Sequence, residues 1–237
     1  MIVGKGALAH QPTGWLGSAQ SAGSILLVLP IVVGAALNLF PNYDARPRYF
    51  ASSYSQILEA GNAYPVSLGL LLVAAGLLTV LVIALQRGPA GGTGGSTFSV
   101  SAGLGMSALG FAVASVLSVP VWIWAGQVES GALAVSEGAS KSETLASLSQ
   151  TLILMLGLGG LVIGLTILGV VSYRRGWTPA SVFWVTVVVA MTVVVGGFAL
   201  AIFWVALGVP PLWTLMIGGS LVLRGSYPIR PYGDLSQ

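Results

Sequence analysis

The sequence predicts an all-α protein, a bundle of six transmembrane helices in the cell membrane, from three observations. Hydrophobic residues make up 55% of the chain, whereas only 6% are charged. A soluble domain carries about 25% charged residues, so lipid rather than water must cover most of this surface. The nine basic and six acidic side chains lie between long apolar runs, and these runs reach the length of about 20 residues that a bilayer requires.

The six predicted spans follow these runs in order. A transmembrane domain at 22–224 lies between an N-terminal tail at 1–21 and a C-terminal tail at 225–237. The N-terminal tail lacks the pattern of a cleaved signal peptide, so the first span is expected to be retained. The stretch 180–223 has no charge and is too long for one helix, so it is divided at 196–197 or at 208–211. The spans are predicted at about 22–40, 66–85, 100–124, 148–172, 180–199 and 201–223, with outer loops at 41–64 and 125–147.

The charge distribution orients the bundle, because an excess of Lys and Arg marks cytoplasmic loops. With both termini in the cytoplasm, the outer segments hold only three basic residues, Arg46, Arg48 and Lys141. Both termini are therefore predicted to be cytoplasmic. The cytoplasmic segments hold six basic residues, Lys5, Arg87, Arg174, Arg175, Arg224 and Arg230.

Trp184 lies deeper within a span than the aromatic residues at the span ends, and it is expected to pack within the bundle.

Small residues are concentrated in the third and fourth predicted spans. Gly103, Ser107 and Gly110 share the third span, and Gly160 and Gly164 form a GxxxG pair in the fourth. Small side chains let helix backbones approach closely in lipid. Two interpretations stay open: these residues pack inside this bundle, or they dock another membrane subunit.

In the first outer loop, Tyr49, Phe50, Tyr54, Ile57 and Leu58 recur at helical spacing. They predict a short amphipathic helix that lies flat on the outer surface. This helix is either a lid that packs on the bundle and stabilises it, or an element that contacts a partner or lipid.

The second outer loop ends in the pattern S-x-x-E at Ser140 and Glu143, which is a capping box. It predicts that the fourth helix begins near Lys141 and continues to about Ser172. At 1.5 Å per residue such a helix is roughly 48 Å long. It would project beyond the bilayer unless it is tilted or broken.

Residues that could carry chemistry are scarce. The chain has no cysteine, and its one histidine, His10, is in the N-terminal tail. Haem ligation, a His-based metal site and a catalytic triad therefore lack their essential side chains. The outer carboxylates show no metal-ligand spacing, and the basic residues form no patch for nucleic acid. We predict no catalytic residue, no cofactor, no metal and no nucleic-acid partner.

Four segments carry a resemblance to known proteins: the helical stretch RYFASSYSQILEAGNAYPVSLGLLLVAAGLL, the polar stretch SETLASLSQTLIL, the turn YRRGWTP and the closing LWTLMIGGSLVLRG. The layout resembles a family of six-helix bacterial membrane proteins that is common in actinobacteria and has no established activity. The resemblance covers most of the chain and implies topology rather than chemistry. The uninterrupted stretch 180–223 departs from it, because a clearer loop is expected there.

These observations predict a non-catalytic accessory or scaffold subunit that packs against other integral membrane subunits and the lipid bilayer. The alternative is a carrier for a neutral or apolar solute, which needs a cavity near helices broken at Pro30, Pro120, Pro210 or Pro211. The hydroxyls within the spans are scattered, which favours bonds to carbonyls of their own helix over a polar pathway. An enzyme that acts on lipid at the outer surface would need converging outer carboxylates.

Overall fold

The computed structural model describes residues 19–40, 56–87, 95–174, 178–198 and 214–223, and all regular structure in these ranges is helical. The predicted all-α class is confirmed for this part of the chain. The helices are α1 (Ala19–Leu39), α2 (Ala63–Arg87), α3 (Gly95–Glu129), α4 (Val135–Leu152), a π-helical segment (Ile153–Leu158), α5 (Gly159–Arg174), α6 (Ala180–Phe198) and α7 (Thr214–Leu223), with a short helix at 56–60.

Four stretches of helix are long and apolar enough to cross a membrane, namely Gln20–Leu39, Ala63–Gln86, Phe98–Glu129 and Thr144–Arg174. A helix satisfies its interior N–H and C=O groups within itself, as the hydrocarbon region requires. The described apolar parts of the last two helices, Ala180–Met191 and Thr214–Leu223, are shorter than a crossing. The described residues thus contain four of the six predicted spans at full length.

The helix breaks expected at Pro30 and Pro120 are not present. Pro30 lies inside α1 and Pro120 inside α3, and both helices continue beyond the proline. Proline removes one backbone donor, but a helix packed among other helices tolerates this loss. The other two candidate breaks, Pro210 and Pro211, lie outside the described residues.

The predicted outer loop at 125–147 is largely helical. A turn at 130–134 is all that separates α3 from α4. Gly131 in this turn has φ 75°, a left-handed conformation that glycine adopts without steric cost. The loop is shorter than predicted because α3 and α4 pack on each other beyond the apolar runs, with Gly138 against Val128.

The capping box at Ser140 and Glu143 does not start the fourth helix. α4 begins at Val135, and its N-cap residue Ala134 makes no side-chain capping bond. Most helical stability in proteins comes from tertiary packing rather than from local preference, and the contact of α4 with α3 extends the helix past the box. The fourth span is therefore longer than predicted and runs as α4, the π segment and α5.

α3 is the central helix of the described fold. It contacts α2, α4, the π segment and α5, while α1 packs on α2 and α6 packs on α5. α7 lies against α1, where a Cβ added at Gly23 would be 2.8 Å from the carbonyl oxygen of Gly218. We call the end with the 130–134 turn the hairpin end. The opposite end, where Arg87 and Arg174 lie, is the basic end.

A disulfide between positions 128 and 138 is expected to form. A Cβ built at Gly138 lies 4.0 Å from the Cβ of Val128, within the range of about 3.5–4.5 Å that disulfides require. Since the chain has no cysteine, the variant V128C/G138C has only one intramolecular pair. Mild oxidation in membranes should protect both thiols from a maleimide-linked polyethylene glycol, so that the band shift this label gives is lost and returns on reduction.

The matched control is V128C/A139C, because residue 139 lies about 100° further around the same helix. Its disulfide yield should be much lower than that of V128C/G138C. Equal yields from the two pairs would contradict the packing of α3 on α4.

Candidate functional site

α3 and the fourth span meet at backbone distance at the small residues predicted from the sequence. A Cβ added at Gly103 would lie 2.8 Å from the Gly164 backbone, and one added at Gly160 would lie 2.8 Å from the Ser107 nitrogen. Real Cβ atoms do not approach backbone so closely, so these positions require glycine. We call this contact the glycine crossing, and its members are Gly103, Ser107, Gly110, Gly157, Gly160 and Gly164.

All five predicted small residues meet inside one chain. At Gly110, an added Cβ would lie 2.5 Å from the Gly157 nitrogen, and at Gly164 it would lie 2.7 Å from the Leu104 side chain. These are the contacts expected of packing within the bundle. A partner helix has no access to this face, because the chain's own backbone already occupies it, so the docking interpretation does not hold for these residues.

Ser107 adds a hydrogen bond to the glycine crossing. Its buried hydroxyl donates to the Gly157 carbonyl oxygen at 2.6 Å, across 50 residues of sequence. Ser115, Ser118 and Thr186 instead donate to the carbonyl four residues back on their own helix. Ser107 therefore differs from these hydroxyls in joining two helices.

The acceptor of this bond lies in the π segment. There the Gly159 N–H reaches back five residues to the Leu154 carbonyl, one residue further than in an α-helix. Single-turn π segments are rare and recur at functional sites. The ring of Phe111 covers Gly157, where an added Cβ would lie 2.5 Å from a ring carbon. On the opposite side, Met155 is 70% exposed.

The π segment keeps one face of the long helix against α3. In a straight α-helix, side chains that recur at intervals wider than 3.6 residues rotate progressively away from the contact face. The extra residue in the π segment corrects this drift by about 100°. Buried positions recur along the whole helix at a spacing slightly wider than 3.6 residues, at 138, 142, 146, 149, 153, 157, 160, 164, 168 and 172.

Sequence reasoning did not identify Phe111 or the π segment as site features. The available signal was the recurrence of small residues at four-residue intervals, at Gly138, Ser142 and Ala146. Three positions at that spacing drift by only about 80° and share one face of a straight α-helix. The pattern therefore predicts a packed face, but it does not indicate the extra residue of the π segment.

Four buried hydroxyls in the described residues have no hydrogen-bond partner: Ser67, Ser101, Ser172 and Thr178. They lie near helix ends, in the first two turns of α2 and α3, the last turn of α5 and just before α6. An unpaired hydroxyl costs less where water is near than deep in an apolar environment. Their positions do not form a polar path through the middle of the bundle.

The structure describes the last part of the predicted loop helix. Ile57 is buried and Leu58 is half-buried, and both pack with Tyr64 and Ala146 in a cluster at the hairpin end. The ring of Phe40 lies 5.6 Å from that of Tyr64. These contacts agree with the lid interpretation for Ile57 and Leu58. The other residues of the predicted loop helix lie outside the described residues, namely Tyr49, Phe50 and Tyr54.

α6 exposes three large apolar side chains on one face. Trp184, Val188 and Met191 are 63%, 61% and 60% exposed, and their spacing of four and three residues places them together. We call these three residues the α6 face. Trp184 was expected inside the bundle, but it lies on the surface because Thr186 packs against Gly169 of α5 and turns Trp184 outward.

The helices and their exposed apolar side chains define the class, by length and composition, as a helical membrane protein. Among the described residues, no three His, Asp or Glu side chains are grouped to hold a metal ion. No family model matches the chain, and no curated protein or solved structure is significantly similar to it. The resemblance to six-helix bacterial proteins stays a prediction.

Proposed function

We propose that this protein is a non-catalytic subunit of a membrane complex, with six crossings and both termini in the cytoplasm. In this proposal the α6 face contacts a partner membrane protein. One observation carries it: the small and polar side chains make contacts inside the chain, whereas large apolar side chains stand outward on α6.

The interior supports a structural role rather than a carrier. At mid-span, backbone contacts fill the glycine crossing, and Ser115 and Thr166 donate to carbonyls of their own helices. A carrier needs broken helices around a cavity, but Pro30 and Pro120 lie in continuous helices. The packing therefore favours the accessory role over the alternative of solute transport.

We assign the partner contact to the α6 face because it carries an exposed Trp. In the described fold α6 packs on α5, which leaves its opposite side for lipid or protein. Trp is enriched among the residues that contribute most to protein interfaces, and Trp184 is 63% exposed. We therefore expect replacement of Trp184 to weaken binding to a protein partner more than it alters the packing of lipid against α6.

The test is purification of the tagged protein from its native membrane in a mild detergent, followed by mass spectrometry. We expect one or more membrane proteins to co-migrate in stoichiometric amounts. The variant W184A/M191A should lose them while it keeps its own expression level and helical circular dichroism. The matched control L109A/V116A truncates exposed side chains of α3, which are 58% and 62% exposed, and it should retain them.

Two results would contradict the proposal. If the protein migrates alone or only with itself, the accessory role is wrong and flux assays in vesicles become the next experiment. If both double variants retain or lose the partner alike, the α6 face is not the contact.

A further inference from the structure

We draw no further inference here: the strongest candidate, the outward face of α2 where Gly69 and Gly76 are exposed and a Cβ added at either would meet nothing within 4 Å, is a stripe of small residues, and nothing in the described part of the chain shows what covers it.

Discussion

Replacing Gly103 by alanine is expected to lower the stability of the fold by about 1–3 kcal/mol, the usual cost of overpacking a core. The added methyl group would lie 2.8 Å from the Gly164 backbone, which cannot rotate away as a side chain could. α3 and α5 would then have to separate. This separation also weakens the bond from Ser107 to Gly157, since the same contact aligns both groups.

Gly105 provides the control within the same helix. A Cβ added there meets nothing within 4 Å, and alanine is favoured over glycine in a helix by up to about 1 kcal/mol. G105A should therefore be neutral or stabilising. Unfolding by heat or by SDS in detergent micelles, followed by circular dichroism, measures both variants. If G103A and G105A unfold alike, the close approach of α3 to α5 is not present.

Deleting Met155 is expected to leave the protein folded, whereas deleting Ile163 is expected to unfold it. A one-residue deletion in a regular helix rotates one side of it by about 100° relative to the other and removes half of its packing face from contact. The π segment already contains an extra residue, so the Met155 deletion converts it to regular helix. The buried positions on both sides then keep their orientation toward α3.

The two deletions are well matched, because both side chains are exposed, Met155 at 70% and Ile163 at 52%. Neither removes a core contact directly, so a difference between them reports helix register. The measurements are the yield of monodisperse protein in mild detergent and its unfolding temperature. Comparable loss from both deletions would show that the described π segment is not an inserted residue.

Much of the fold could be predicted from apolar runs alone. The second span was predicted at 66–85 and the structure has Ala63–Arg87; the first was predicted at 22–40 and the structure has Ala19–Leu39. The agreement has a simple cause. In hydrocarbon a chain satisfies its backbone only by forming helix, so composition and length decide the secondary structure almost without competition.

The candidate site was predicted in part. Gly103, Ser107, Gly110, Gly160 and Gly164 were identified because small residues allow helices to approach, but their partners could not be assigned. The same pattern serves an intrachain and an interchain contact. The choice depends on how α3 and α5 lie in space, which no property of either segment alone specifies.

Local composition was sufficient to predict that the described residues are helical, that four of their helices are long and apolar enough for a membrane, and which small residues allow helices to approach. The packed fold was needed to establish that α3 and α4 extend beyond their apolar runs, that Pro30 and Pro120 leave their helices continuous and that residues 153–158 adopt π geometry. The extension of α3 and α4 and the π geometry are stabilised by contacts with a neighbouring helix. Their energies arise from contacts between segments, and such contacts exist only once the helices have packed.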